Sequence, residues 1–328
     1  LGRLNPLGLN LCAPALFAHG TEDQRLRFLP RIVDNTEKWC QLFSEPGAGS
    51  DLASLATRAE RDGDDWVLTG QKVWTTWAHV SEWAVALART DPGVPKRKGI
   101  TYFLVDLHQA GVDVRPLRHI GGEREFNEVF LDGARVPDAQ RVGEVGDGWR
   151  VANATLSGER QMVSGAGSGG VDRIGGSSVT RLLDLATRTG RAGDPVARQH
   201  LMRLFSEERI RAWTNQRVRA QVKAGRAPGP ESSIGKVHQG SLNQRVQEQA
   251  VAALGMDAVA FEVPTGANGS DYATTLPYEL AGMLRSRANT IEGGTTEINK
   301  NVLGERVLGL PREPDPWQGA AWREVPRS

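Results

Sequence analysis

Residues 43–51 read FSEPGAGSD and follow directly on Trp39-Cys40-Gln41-Leu42, a short run with strand character. Glu45-Pro46-Gly47 is turn chemistry, because proline presets its own φ and glycine accepts positive φ. Gly47, Ala48 and Gly49 carry almost no side chain, so a ligand can approach their backbone closely. Free N–H groups in such a loop cradle an anion or the polar edge of a ring; an ordinary surface turn is the other reading of these nine residues. Two nucleotide loops are excluded: GAG is not GxGxxG, and no Gly-Lys-Ser/Thr follows. The flanking chain decides which fold ends a strand in this loop.

The chain has 328 residues, enough to bury a substantial core and to form two or more domains. Its formal net charge of +1 gives no basis for a nucleic-acid or anionic membrane-surface partner. Hydrophobic residues make up 39%, and no apolar run approaches the length of a membrane span. No secretory signal is expected. Cys12 and Cys40 are the only cysteines, too few for a disulfide framework, so a cytoplasmic location is expected. His19, His79, His108, His119, His200 and His238 lack metal-ligand spacing, and no metal site is expected.

Residues 1–36 read as helical. Thr21 is an N-cap with Gln24 at capping-box spacing. Leu26 and Leu29 share a face, and Pro30 ends or kinks the helix. From 37 to 146 the pattern is β, with strands at 56–60 and 66–68 around the turn Asp62-Gly63-Asp64-Asp65, then at 71–77, 83–88, 100–107 and 128–131. Short strands at this spacing fit a compact barrel or sandwich. From 147 to 310 the pattern is long helices. One runs from Trp149 into the glycine-rich SGAGSGGVDRIGGSS at 164–178; another starts at Asp194-Pro195 and reaches Lys223; a third ends at Gly255; the last two cover 278–288 and 293–309. Long helices with short links form an antiparallel bundle. The tail, 311–328, bears proline and tryptophan and reads as extended. Strands and helices do not alternate, so the fold class is multidomain α+β, not an open α/β sheet.

Five segments now stand in series: FSEPGAGSD, GQKVWTTWA at 70–78, FNEVFLDGARVPD at 126–138, GWRVANATLSGER at 148–160 and TIEGGTTEINKNVLGERVLGLP at 290–311. In this order they resemble the acyl-CoA dehydrogenase family over essentially the whole chain. The resemblance implies an N-terminal helical domain (here truncated), a central β-barrel and a C-terminal four-helix bundle. It implies noncovalent FAD, an acyl-CoA substrate and an electron-transferring flavoprotein as acceptor. It also implies a homo-oligomer, dimer or tetramer, or a hetero-oligomer with a paralogous subunit. By match, Gln41, Leu42, Phe43 and Ser44 lie along the flavin, Gly49 leaves it room, and Ser50 sits near the pyrophosphate and the thioester end of the substrate. Trp74 and Thr76 fall on positions that cover the flavin. Arg188 matches the arginine that reaches the FAD pyrophosphate of a neighbouring subunit; RTGRAG replaces the usual Arg-x-x-Phe-Gly, and an exposed helix-end arginine is the other reading. Gly255 matches a glycine near the adenine, and Thr295 and Glu297 match flavin-contacting positions.

The implied reaction is α,β-dehydrogenation of an acyl-CoA thioester to the trans-2-enoyl-CoA. It needs a carboxylate for the α-proton and donors to the thioester carbonyl. Many members carry the base in an Ile-Tyr-Glu-Gly-Thr turn. Here the turn reads Ile291-Glu292-Gly293-Gly294-Thr295, which puts Gly293 at the base position and Glu292 one residue early. A one-residue offset on a helical turn swings a side chain by about 100°, so Glu292 is placed beside the substrate and not as the base. A second family solution is Leu-x-x-Glu-Arg on the first bundle helix, and Leu156-Ser157-Gly158-Glu159-Arg160 fits it. Glu159 is therefore the expected base, Arg160 lies beside the substrate, and the Gly293 N–H serves the thioester carbonyl. The other reading makes Glu159 a solvated helix residue in a non-catalytic partner subunit; a same-fold oxidase or monooxygenase is a further alternative. The glycines at 164–178 either widen the acyl pocket for a branched or polycyclic group or allow close helix packing.

Overall fold

The computed structural model describes residues 5–163, 179–225, 229–260 and 276–326, with the backbone alone at 157–163 and 222. The chain divides into two units. The first comprises Leu1–His119, Arg124–Glu159 and Glu313–Ser328, and the second Ile120–Glu123 and Arg160–Arg312.

The first unit opens with helices α1, Ala13–His19, and α2, Glu22–Val33. The capping box forms as expected: Thr21 Oγ1 accepts from Gln24 N at 3.2 Å, and Gln24 Oε1 accepts from Thr21 N at 3.1 Å. The buried face of α2 is Gln24, Phe28 and Ile32, while Leu26 is 67% exposed; i, i+4 spacing from the cap sets the face. Pro30 lies inside α2 and does not end it. The carbonyl it deprives of a donor belongs to Leu26, on the exposed face, where the loss is tolerated.

Eight strands follow among the described residues: β1, Trp39–Leu42; β2, Arg58–Asp62; β3, Asp65–Thr76; β4, Trp83–Arg89; β5, Ile100–Asp106; β6, Val112–Leu117; β7, Phe126–Pro137; and β8, Arg141–Val142. The segments 66–68 and 71–77 join into the single strand β3. Strands β6 and β8 were not expected; β6 carries Pro116 within it, and β8 is two residues long. The sheet order is β6-β7-β3-β2-β4-β5-β8, with β1 pairing parallel to β4 off this path. Among the described residues the end strands β6 and β8 do not pair, so the sheet is not closed and the expected β-barrel is not confirmed. Edge strand β6 carries Asp113, Arg115 and Pro116, which discourage further pairing. The β2–β4 junction is a single register pair, Arg58 with Arg89.

Strand β4 is buried at every residue from Ala84 to Arg89. This explains its continuous apolar run, because both faces are covered. Trp39 stacks on Trp83 at 5.8 Å, with Phe28 edge-on to both at 5.2 and 5.0 Å. Helix α3, Gly148–Val163, is tied to β5 by the buried pair Tyr102 Oη and Thr155 Oγ1 at 3.0 Å. The tail is not simply extended. It forms a 3₁₀ turn, Trp322–Glu324, packed on the link between β4 and β5 through Trp322 N to Val94 O at 2.9 Å.

In the second unit, α4 is Val179–Arg188, α5 Pro195–Lys223, α6 Ser233–Leu254, α7 Tyr278–Ser286 and α8 Thr296–Arg306. The onset of α5 and the end of α6 at Gly255 agree with the sequence reading. The glycine-rich 164–178 lies outside the described residues. Val179, Leu182 and Leu185 of α4 pack with Leu201 and Leu204 of α5 and with Leu242, Val246 and Ala250 of α6. An adjacent face of α6 is polar and buried, with Lys236, Asn243 and Gln247. Among the described residues no helix is long and apolar enough to cross a membrane.

Asp138 anchors the end of β7. It accepts from Arg141 Nε at 2.9 Å and from Trp66 Nε1 at 2.7 Å. The Arg141 hydrogen bond, then that of Trp66, holds its carboxyl well below the usual 3.8, at about 2. A folded value below the unfolded one means stability that is complete above about pH 3.8 and lost as pH falls towards 2. Asp138→Asn is expected to be less stable than wild type at neutral pH and to lose less further stability in that acid window. Urea denaturation at a series of pH values checks this; parallel acid limbs would show that Asp138 does not carry the effect.

Candidate active site

The loop at 43–51 is built around a buried ion pair. Lys72 is fully buried on β3, and its Nζ donates to Glu45 Oε1 at 2.8 Å, Phe43 O at 3.1 Å and Leu87 O at 2.8 Å. Three acceptors for three protons require the ammonium form. Burial pulls the Lys72 ammonium down from the usual lysine range, and Glu45 opposes that pull. For Glu45, burial acts upward, but the charge and hydrogen bond of Lys72 with the donors at Thr57 and Ala56 outweigh it, and the carboxyl ends below its ordinary value. The Ala56 and Thr57 amides lie 2.6 and 2.9 Å from the carboxylate. Glu45 and Ala48 close the turn with reciprocal backbone bonds of 3.1 and 3.0 Å.

Around this anchor the structure gathers one set of the expected residues. Gln41 is half-buried on β1, Leu42 and Phe43 are buried, Ser44 is half-buried, and Gly49 and Ser50 are exposed. Phe43 stands edge-on to Tyr102 at 6.0 Å. Val73 N donates to Ser44 O at 2.9 Å, which seats the loop beside Trp74. A bulge interrupts the β3–β7 register between Lys72 and Thr75. There Trp74 takes a left-handed φ of 60° and is 55% exposed; Trp77 follows at 58°. Both are strained conformations for a bulky residue. Thr76 is half-buried opposite Phe126, and Thr75 turns inward with a buried hydroxyl that has no hydrogen-bond partner among the described residues.

The second unit holds the other expected residues in two places. Glu292 accepts from Arg285 Nη2 at 3.0 Å and from Asn289 Nδ2 at 2.9 Å. Asn289 also accepts from Asn243 Nδ2 at 2.7 Å, and Lys236 Nζ donates to its carbonyl. Helix α6 comes this close only because residue 240 is glycine; a Cβ there would lie 2.8 Å from Asn289 O. Gly293 follows at φ 65°, Thr295 caps α8 by accepting from Ile298 N at 3.2 Å, and Glu297 is exposed in its first turn. Gly255 and the exposed Arg188 lie at the C-terminal ends of α6 and α4. Lys236 and Gly255 are 19 positions apart on α6, roughly 28 Å at the helical rise, so these two groups are not brought together. Glu159 and Arg160 lie on α3, and their side chains are outside the described residues.

The model of the acyl-CoA dehydrogenase middle domain matches residues 40–134, and that of the acyl-CoA dehydrogenase C-terminal domain matches 146–308. The chain belongs to the acyl-CoA dehydrogenase family. Its members are FAD-dependent oxidoreductases. Acyl-CoA dehydrogenase IpdE1 of Mycobacterium tuberculosis is 43% identical over 317 residues, spanning 95% of this chain and 77% of that protein. The Tcur3481-Tcur3483 steroid ACAD superposes with a TM-score of 0.80 at 27% identity, covering 94% of this chain and 77% of that one. The ChsE4-ChsE5 complex from Mycobacterium tuberculosis gives a TM-score of 0.73 at 26% identity, covering 94% and 78%.

The loop is compatible with a flavin on its own geometry. A Cβ added at Gly47 or Gly49 would meet nothing within 4 Å, and the exposed aromatic face of Trp74 adjoins Thr76. The sequence reading missed Lys72, Glu45 and Asn289. A signal existed for Lys72, since strand alternation puts it on the inward face with Trp66 and Leu68, where a lysine needs a buried partner. Lys72→Met leaves Glu45 buried and uncompensated and is expected to destabilise the protein by about 3 kcal/mol or more. Lys72→Met with Glu45→Gln is expected to recover part of that loss. Chemical denaturation of the three proteins decides; a neutral single variant would refute the buried-pair reading.

Proposed function

We propose that the chain catalyses α,β-dehydrogenation of an acyl-CoA thioester, with Glu159 as the base. The observation that carries this assignment is the clamp on Glu292. Its carboxylate is held by Arg285 and Asn289, so the 291–295 turn offers the Gly293 backbone and no free carboxylate. A family member with glycine at that position needs its base on another element, and Glu159 of α3 supplies the Leu-x-x-Glu-Arg alternative.

In the first unit Gln41, Leu42, Phe43, Ser44, Gly49, Ser50, Trp74 and Thr76 would hold FAD; in the second, Thr295 and Glu297 are assigned to a flavin and Gly255 to an adenine by the family match alone. Bound FAD supplies the acceptor for the β-hydride. Glu159 takes the α-proton onto a carboxylate oxygen. Negative charge then grows on the thioester oxygen, and the Gly293 N–H donates to it. Ser50, Arg160 and Glu292 line the substrate. Arg188 reaches the FAD pyrophosphate of a neighbouring subunit, which makes the working form an oligomer.

A steroid-derived or other polycyclic acyl group is the substrate class. The similarity to the steroid ACAD and the glycine-rich stretch read as a widened acyl pocket support it. The resemblance to the ChsE4-ChsE5 complex supports a paralogous partner subunit. An electron-transferring flavoprotein in the cytoplasm accepts the electrons.

The test is anaerobic mixing with a panel of CoA thioesters, including steroid-derived ones, while the visible flavin absorbance is followed. Wild type should bleach. Glu159→Gln should slow bleaching by at least ~10²-fold, the lower range for loss of a general base, with substrate binding retained. Glu292→Gln should slow it much less. The reverse ranking of the two variants would move the base to the 291–295 turn. Bleaching by wild type only after a paralogous subunit is added would make this chain the non-catalytic partner.

A further inference from the structure

We infer that the C-terminal tail is a strap that sets the flavin loop, with Trp322 as a positioning residue. This rests on the reading that residues 43–51 bind FAD. The tail lies beyond both matched family domains, which end at residue 308, yet Trp322 and Val325 are each only 8% exposed. Such burial in a proline-bearing tail marks a docked segment, not a solvated end.

The docking is specific. Trp322 N donates to Val94 O at 2.9 Å, Arg323 N to Pro92 O at 3.1 Å, and Ala321 bridges to Pro95. The Trp322 indole Nε1 donates to Ser54 O at 3.2 Å. Its ring lies 4.6 Å from the Arg89 guanidinium, an aromatic face on a buried cation. Arg89 Nη2 donates to Ala53 O at 2.6 Å and to Leu55 O at 3.1 Å, and its Nη1 donates to Lys96 O at 2.5 Å. Three consecutive carbonyls, of Ala53, Ser54 and Leu55, are thus held by one arginine and the tryptophan stacked on it.

These carbonyls begin two residues after the loop. Ser54 Oγ donates to Asp51 Oδ2 at 2.5 Å, and Lys96 Nζ reaches the same oxygen at 2.7 Å. On the other side, Ala56 and Thr57 donate to Glu45. The segment 51–57 is therefore fixed to both ends of the loop, and Trp322 closes its outer side. Removing the indole takes away the Ser54 hydrogen bond and uncovers Arg89, which frees the segment that holds Ser50 and Asp51 in place.

The experiment uses the full-length protein stripped of FAD and retitrated, with quenching of flavin fluorescence giving Kd. Trp322→Ala is expected to weaken FAD by about tenfold, the combined scale of one hydrogen bond and one cation–π contact. Trp322→Phe keeps a ring over Arg89 but loses the N–H, and is expected to fall between. In the apoprotein, amide exchange at 51–57 should speed up in Trp322→Ala while exchange in α6 stays unchanged. Gly49→Leu, which fills open space beside the loop, is the control for the loop itself. If Gly49→Leu weakens FAD and Trp322→Ala does not, the strap is overturned and the flavin reading stands. If neither weakens FAD, the flavin reading of the loop falls and the strap with it. Should Trp322→Ala fail to fold, wild-type FAD affinity in Trp322→Phe overturns the role of the Ser54 hydrogen bond.

Discussion

A lysine ammonium with no solvent exposure must satisfy three protons inside the protein, and Lys72 does so on Glu45, Phe43 O and Leu87 O. Moving an ion out of water costs several kcal/mol even after relaxation, and only a fully bonded partner set offsets it. That requirement fixes more than the loop. With Lys72 turned inward, strict two-residue alternation would also bury residues 74 and 76. The bulge between Lys72 and Thr75 inserts one residue, so that Thr75 turns inward and Trp74 outward, with Thr76 half-buried after it. The left-handed φ of Trp74 is the local strain of that insertion. Trp74 is thus displayed because the bulge breaks the alternation that the buried Lys72 would otherwise impose.

The same bulge shows what could be read without coordinates. Local chemistry was legible: the Thr21–Gln24 capping box, the Pro46-Gly47 turn, the Pro195 start of α5 and the Gly255 end of α6 each follow from one or two residues. The motifs in series located the loop and the 291–295 turn. Features set by distant partners were not legible. Strand β6 pairs with β7 along its whole length despite the proline within VDVRPL. Pro30 is tolerated because of where Leu26 faces, and the open ends of the sheet depend on which edges find partners. Lys72 was visible as an anomaly on an apolar face, but its partner, 27 positions away, was not.

In the second unit α6 serves two functions with two faces. Leu242, Val246 and Ala250 pack against α4 and α5, where area and shape suffice. Lys236, Asn243 and Gln247 form a buried polar row, where each donor needs a specific acceptor. A polar row fixes register more narrowly than an apolar one, because a slip by one turn would leave several groups unpaired. The turn at 289–295 is docked on this row through Asn289, so the backbone at Gly293 inherits its precision. Glu292, pinned to Arg285 and Asn289, is part of that docking.

Three buried cations act alike across the chain. Lys72 holds Phe43 O, Arg89 holds Ala53 O and Leu55 O, and Lys236 holds Asn289 O. Each sits on a strand or helix and reaches a loop through its main-chain carbonyls. A cation can satisfy only acceptors, so it fixes a loop without using any of that loop's N–H groups. A loop anchored by its side chains' carboxylates or hydroxyls would instead spend its backbone donors on itself. The ligands of the proposed reaction, a pyrophosphate and a thioester oxygen that gains negative charge, are acceptors that require free, preorganised donors. Carbonyl-directed cations behind small-residue loops therefore supply rigidity without consuming loop N–H groups themselves, although in the 43–51 loop Glu45 N and Ala48 N are spent on closing the turn.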